Sequence, residues 1–320
     1  MEKIRILNLE PKGYSQKARV VLEEFAEVEE GPLTHQELME NISRFDALIV
    51  RFGHGIIGRE LMDRGKLLKA IASATTGLNH IDLEAAKERN IVILSLQGET
   101  EFLQGIHATP EHTWALLLSL IRNIPDAVMH VREGGWDRDL FKGTELHEKT
   151  LGIVGFGRVG SNLAKYAQSF GMEVVAHDER EVSAPDYVTF VPLDELFKRS
   201  DVVSVNVPYN DVTHHMVGQD AIALMKEGVI LINTSRGEVL DENALLKALE
   251  SKHIGGAAVD VLEGEHSKEK GWVMQNPLVG YARSNHNLLI TPHVAGATAE
   301  SMVKTEIFIA QKLQSFFTKK

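Results

Sequence analysis

The sequence predicts an α/β protein built on parallel sheets, and two observations carry that prediction. Short apolar runs alternate with helix-compatible segments along most of the chain, the pattern that βαβ units leave in a sequence. Residues 150–160, TLGIVGFGRVG, then read as strand, tight turn and helix. Leu151, Ile153 and Val154 form the strand, and Gly155, Gly157 and Gly160 follow at G-x-G-x-x-G spacing. One glycine permits the turn, one lets a pyrophosphate approach the backbone, and one lets helix and strand pack closely. The helix N-terminus then faces the phosphates.

Taken in order, segments 4–9, 15–25, 35–42, 47–50, 57–61 and 68–74 alternate in character, and a helix over 83–89 precedes a strand over 91–94. Arg51-Phe52-Gly53 and Thr75-Thr76-Gly77 follow strands, where open α/β sheets bind ligands. The plain alternative is a surface arginine and a glycine turn. Segment 111–122, EHTWALLLSLIR, is a strongly apolar helix with Pro125 close behind it. It is too short to span a bilayer, so it is a core or an interface helix. His107 and His112 flank its start, but Pro110 lies between them and no zinc signature accompanies them, so no metal is expected.

Beyond the glycines a helix is expected over 162–170, and the apolar run 173–177 ends at Asp178, 18 residues past Gly160. A carboxylate there accepts hydrogen bonds from the adenosine ribose and repels a 2′-phosphate. NAD is therefore expected over NADP, with Arg180 as the nearby residue able to accommodate a phosphate. The pattern continues through 201–207, 222–225 and 229–233, a helix over 241–249, strands over 257–262 and 288–291, and a helix over 298–317. Segment 264–287 is polar, glycine-bearing and irregular, long for a connection, and reads as a lid or substrate wall.

With 320 residues, 43% hydrophobic and 25% charged, the chain has material for two domains. A net charge of −11 and a pI near 5.7 argue against a nucleic-acid or anionic-membrane surface. The absence of cysteine removes disulfides, thiol nucleophiles and thiolate metal sites, and fits a cytoplasmic location. MEKIRILNLE lacks a signal-peptide pattern, and no apolar run approaches the roughly 18 residues of a membrane helix.

Three segments could serve hydride transfer between a 2-oxo and a 2-hydroxy acid, which needs a cation for the carboxylate and an acid/base group for the hydroxyl proton. Arg236 stands at a strand end in NTSRG, Glu265 in the loop after strand 257–262, and His293 just after strand 288–291. Singly, these are a surface arginine, a loop glutamate and a structural histidine. Jointly they follow successive strands.

Together TTGLNHID, EHTWALLLSLIRNIP, GFGRVG, NTSRGEVLDENAL, AAVDVLEGE and TPHVAGAT resemble the D-isomer-specific 2-hydroxyacid dehydrogenase family, which includes D-3-phosphoglycerate dehydrogenases. The resemblance runs over essentially the whole chain. It implies two Rossmann-like or flavodoxin-like domains, the cofactor domain (103–294) being inserted into the substrate domain (1–102 and 295–320). It implies a homodimer with helix 111–122 at or near the interface. Arg236 resembles the substrate-orienting arginine, His293 the acid/base and Glu265 its carboxylate partner. Asp260 resembles the residue near the nicotinamide carboxamide. The implied NAD set is Gly155, Gly157, Arg158, Val159, Gly160, Asp178, Asn206, Val207, Pro208, Thr213, Thr234, Ser235, Arg236, Asp260, His293 and Gly296. The implied substrate set is Arg51, Phe52, Gly53, Thr76, Gly77, Arg236 and His293.

Two features depart from the family: His266 stands where a proline usually follows the glutamate, and 267–287 is long, with Trp272, Tyr281 and Arg283 in it. No regulatory domain is expected after the last helix. The implied activity is NAD-dependent oxidation and reduction of a D-2-hydroxy acid. A phosphorylated or sugar-derived acid is favoured because Arg51, His54 and Arg283 could add anion contacts. The alternative is a dinucleotide-sensing binding protein of the corepressor type, without turnover.

Overall fold

Among the described residues every strand pairing is parallel, and the strands fall into two sheets. The computed structural model describes residues 3–31, 33–51, 57–180, 182–265 and 271–319. Phe52, Gly53, His54 and His266 lie outside the described residues. The described chain divides into two compact units, one running up to Ile106 and resuming at Ala297, the other running from His107 to Gly296.

The first unit contains β1 (Ile4–Asn8), α1 (Gln16–Glu23), β2 (Ala26–Glu30), α2 (His35–Asn41), β3 (Ala47–Val50), α3 (Arg59–Arg64), β4 (Ala70–Ser73), α4 (Leu83–Glu88), β5 (Val92–Leu94), α5 (Thr100–Gln104) and the C-terminal helix Ala299–Thr318. Its sheet order is β2-β1-β3-β4-β5. Successive side chains serve opposite faces: Leu7 and Leu48 join Phe45 and Ile71 on one side, whereas Ile6 and Ala47 meet Leu22, Ile309 and Leu313 on the other. Burial on both faces is why these strands read as continuous apolar runs. Side-chain caps start the helices, with Ser15 on α1, a reciprocal Thr34–Glu37 capping box on α2 and Asp82 on α4.

The second unit contains α6 (Ala108–Ile121), α7 (Ile124–Arg132), β6 (Thr150–Val154), α8 (Arg158–Ser169), β7 (Glu173–His177), β8 (Val188–Phe190), α9 (Leu193–Arg199), β9 (Val202–Val205), α10 (Gln219–Leu224), β10 (Val229–Asn233), α11 (Glu242–Glu250), β11 (Ile254–Val259), α12 (Trp272–Gln275), α13 (Pro277–Ala282) and β12 (Leu288–Ile290). The sheet runs β12-β11-β10-β9-β6-β7-β8. The chain winds outward from β6 one way and returns to β9 to wind the other way, so the switch in direction lies between neighbouring β6 and β9.

Several expectations need correction. β2, AEVEE, carries no strand signal in the sequence because it is an acidic edge strand; Glu29 and Glu30 pair with Arg5, Arg44 and Arg19. Ile57 makes only an isolated bridge to Ile81, and α3 starts after it. A further helix, α7, follows α6: Asn123, left-handed at φ 51°, separates the two, and Pro125 sits in the first turn of α7, where its missing N–H costs nothing. β8 and α9 were passed over, and β11 begins at Ile254, three residues before the expected start, through Gly255 and Gly256. Segment 264–287 is not irregular throughout, since α12 and α13 occupy it and Leu278 is fully buried.

Gly160 shows how tightly β6 and α8 meet, because a Cβ there would lie 2.3 Å from the Gly155 carbonyl oxygen. Gly160→Ala should therefore cost about 1–3 kcal/mol through overpacking, seen as a lower urea midpoint. An unchanged midpoint would contradict the close packing.

Candidate active site

Because all strands of the larger sheet run parallel, their carboxyl ends share one edge, and that edge collects most of the expected site residues. At β6, Gly155 turns with φ 90°, and a Cβ on it would meet the Asn206 carbonyl oxygen at 2.7 Å. Only glycine suits that conformation and that approach. Gly157 differs, since a Cβ there meets nothing within 4 Å, and it caps α8 without a side-chain hydrogen bond. The second glycine thus opens space before a helix N-terminus, the cradle a pyrophosphate needs. Arg158 is the first residue of α8, and burial pushes its guanidinium down from the ordinary value. Val159 and Val207 pack against the hydrophobic cores.

Asp178, at the end of β7, accepts the Phe156 N–H at 2.9 Å, which ties the glycine turn to the neighbouring strand. Its carboxylate also takes a fork from Arg180, Nε at 2.9 Å and an Nη at 3.1 Å. These hydrogen bonds, Arg180 foremost, hold its pKa down at about 2. The carboxylate therefore stays ionised and oriented, and Arg180 lies directly over it.

In the loop after β9, the Thr213 hydroxyl donates to the Pro208 carbonyl at 2.8 Å, and Asn210 accepts from the N–H groups of Val212 and Thr213. Thr213 locks the loop's shape. His215 Nε2 lies 3.0 Å from Glu263 Oε2, and His214 stacks on His215 at 4.0 Å. This ties the loop to the segment that carries Glu265.

At β10, buried Asn233 folds the next turn: its Oδ1 accepts from the Ser235 N–H and hydroxyl, and its Nδ2 donates to the Arg236 carbonyl. The Thr234 hydroxyl pairs with that of Thr113 at 2.7 Å in the interior, so this side chain is committed to α6. An Arg236 Nη donates to the Ser235 carbonyl at 2.5 Å. Burial pushes the Arg236 guanidinium down, with the Glu265 and Glu238 carboxylates acting against it.

Beyond β11, Asp260 is almost wholly buried, and its carboxylate accepts from the Thr291 hydroxyl (2.5 Å), the Val294 N–H (2.9 Å) and the Ala295 N–H (2.8 Å). His112 Nε2 stands 3.3 Å away. Burial would raise its pKa, but these donors, His112 first, outweigh it and hold the group below the ordinary value. Asp260 therefore fastens the loop that bears His293, a function sequence reasoning did not assign, nor did it find His112 as its partner. The only signal was the shared TPHVAG and AVD segments.

His293 itself adopts φ 52°, a conformation a bulky residue enters only when its surroundings over-determine it. Its N–H donates to the Asp260 carbonyl at 2.8 Å, and its Nδ1 lies 2.7 Å from Glu265 Oε1. Glu242 steadies the glutamate's segment by accepting the Glu263 N–H and the Asn276 amide, both at 2.7 Å. Gly296 follows this loop in the open, with room for a Cβ.

In the first unit, Arg51 immediately follows β3 and Thr76-Gly77 follow β4. Thr75 shapes that turn, its hydroxyl reaching Ser73 at 2.9 Å and the Gly77 carbonyl at 2.8 Å. Thr76 is exposed.

A parallel sheet with a glycine cradle at its switch point, an acidic residue at the next strand end and an Arg, Glu and His set along the same edge is matched by a known family model. It is described as D-isomer specific 2-hydroxyacid dehydrogenase, NAD binding domain, and covers residues 114–295. The chain belongs to the D-isomer specific 2-hydroxyacid dehydrogenase family. It is 34% identical to a hydroxypyruvate reductase of Thermotoga maritima over 98% of both chains. It is 36% identical to a D-3-phosphoglycerate dehydrogenase of Methanocaldococcus jannaschii over 97% of this chain but 57% of that protein, so it spans little more than half of that relative. Among solved structures it resembles the TT0316 protein of Thermus thermophilus (34% identity, TM-score 0.83, 98% and 97% of the two chains). It also resembles a D-lactate dehydrogenase of Aquifex aeolicus complexed with NAD and lactic acid (27% identity, TM-score 0.83, 98% and 95%). No described helix is long and apolar enough to cross a membrane.

NAD fits the edge as built: Gly157 leaves room for phosphate, and ionised Asp178 suits ribose hydroxyls. Asp178→Ala should narrow the preference for NADH over NADPH, read as the ratio of kcat/KM for the two. Equal use of both by the unmutated protein would remove Asp178 from this role.

Proposed function

We propose that the protein is an NAD-dependent oxidoreductase interconverting a D-2-hydroxy acid and its 2-oxo acid. The observation that carries this reading is the 2.7 Å pairing of His293 Nδ1 with Glu265, beside a desolvated Arg236, on the ligand edge of an NAD-binding sheet.

Each residue has one task. Arg236 offers a planar fork to the substrate carboxylate, at full charge and with little water competing. Glu265 accepts the Nδ1–H, which sets the ring's tautomer and orientation, so proton transfer falls to Nε2. In reduction that nitrogen gives its proton to the carbonyl oxygen; in oxidation it takes the hydroxyl proton. Asp260 holds the His293 loop. The nicotinamide cofactor, when bound, supplies or takes up the hydride. Gly155, Gly157 and Gly160 with the first turn of α8, Asp178, and the loop from Asn206 to Thr213 form its cradle, and Arg51, Thr76 and Gly77 contribute to substrate binding.

The corepressor-type alternative finds no support among the relatives named above, and the coupled Arg236, Glu265 and His293 favour turnover. The preference for a phosphorylated acid weakens, because Arg51 is ion-paired with Glu306 and Arg283 turns to the Met274 sulfur. A cytoplasmic location suits the cysteine-free sequence. A homodimer suits the surface of α7 and the segment after it: Ile124, Val128, Met129, Val131 and Leu140 are exposed, and Trp136 is 90% exposed. The apolar residues of α6 are instead core, with Trp114, Leu117, Leu120 and Ile121 buried within their own unit.

Glu265→Gln takes the charged acceptor away from the Nδ1–H, so kcat/KM should fall at least about tenfold while NADH still binds; an unchanged kcat/KM would sever Glu265 from His293. His293→Ala should abolish most turnover while NADH still binds. Sedimentation at micromolar concentration should show a dimer that Val128→Glu with Met129→Glu dissociates, and a monomeric unmutated protein would overturn that assignment.

A further inference from the structure

Glu306 is an acidic residue in the middle of the C-terminal helix, 1% exposed, and none of the acid/base steps uses it. Its Oε2 accepts the Ser15 N–H at 2.6 Å at the start of α1, and its Oε1 accepts an Arg51 Nη at 2.5 Å at the end of β3. The Arg51 side chain is 21% exposed, so only part of it meets solvent. Tyr14 stands beside the pair, and its hydroxyl is pushed up by burial first and by the Glu306 carboxylate next; it remains a neutral phenol.

A buried carboxylate survives only while it is paired. Glu306 cannot release Arg51 without becoming a buried anion left to the Ser15 N–H alone, and Arg51 cannot turn its full charge to a ligand while Glu306 holds it. What the end of β3 offers a substrate is a hydrogen-bond donor whose charge is largely cancelled. A second anionic group on the substrate finds no net attraction there, whereas a hydroxyl or a hydrogen loses nothing.

We propose that Glu306 is a specificity-determining residue that, by pinning Arg51, selects 2-oxo acids whose only anionic group is the carboxylate and disfavours those carrying a phosphate. This rests on the reading of Arg51 as a substrate residue in a 2-hydroxyacid dehydrogenase.

The test is kcat/KM with NADH for hydroxypyruvate and for 3-phosphohydroxypyruvate, in the unmutated chain, Glu306→Gln, and Arg51→Gln combined with Glu306→Gln. The unmutated protein should favour hydroxypyruvate. Glu306→Gln keeps an oxygen for the Ser15 N–H but frees the arginine's charge. The selectivity ratio should then move toward the phosphorylated acid by about tenfold, mainly through KM, as expected for one uncompensated charge near the ligand. The double variant should lose that shift, since the freed charge is gone. A titration of NADH fluorescence reports whether each variant is folded. Should Glu306→Gln fail to bind NADH, Glu306→Asp keeps the charge, withdraws it from Arg51, and should move the ratio in the same direction. A preference of the unmutated protein for the phosphorylated acid, an unmoved ratio in a folded variant, or a shift that persists in the double variant would each overturn the proposal. If the unmutated protein reduces no 2-oxo acid, the activity reading itself fails and takes this one with it; turnover with an unmoved ratio overturns this one alone.

Discussion

The larger sheet's ligand edge depends on a buried anion, because Asp260 gathers donors from the Thr291 hydroxyl and from the N–H groups of Val294 and Ala295. Asp260 itself is almost wholly buried, and each of those donors lies within two residues of His293. A carboxylate with so many charge-assisted hydrogen bonds is strong enough to impose backbone conformation, and it does so here: His293 stays left-handed with its ring on Glu265. Replacing Asp260 would release the loop rather than remove a reacting group.

The rest of the edge follows the same logic of polar groups committed to shape. Asn233 closes the Arg236 turn, Thr213 closes the loop after β9, and Glu242 clamps the segment leading to Glu265. Very little of this polarity points at a ligand. The residues left for chemistry are few, and they are held on rigid strand ends, which is how positional precision is obtained without a large number of reacting groups. The glycines complete the arrangement by subtraction: Gly155 and Gly160 let backbone meet backbone, and Gly157 leaves a space.

The first unit shows the converse use of charge. Glu306 and Arg51 are both ionisable and both close to a strand end, yet each cancels the other. A cation that looks like an anion receptor in the sequence is, in the fold, half of an internal pair, and the partner comes from a helix 255 residues further along the chain.

Much of the fold was legible because its signals are local. Apolar runs bounded by glycines and polar turns mark strands, the G-x-G-x-x-G spacing and the acidic residue beyond the next strand mark Gly157 and Asp178, and the family resemblance implies the roles of Arg236, Glu265 and His293. The misses have physical reasons as well: β2 hides its strand under glutamates balanced by distant arginines, and 264–287 looks irregular although Leu278 anchors it in the core. By itself, the sequence determined the parallel α/β class and the glycine cradle, since periodicity and spacing are written in neighbouring residues. Only the tertiary structure decided which polar groups remain for a ligand: that Thr234 belongs to α6, that Asp260 and His112 hold the histidine's loop, and that Glu306 claims Arg51. Those are pairings between residues tens to hundreds of positions apart, and burial, which no single segment encodes, makes them obligatory.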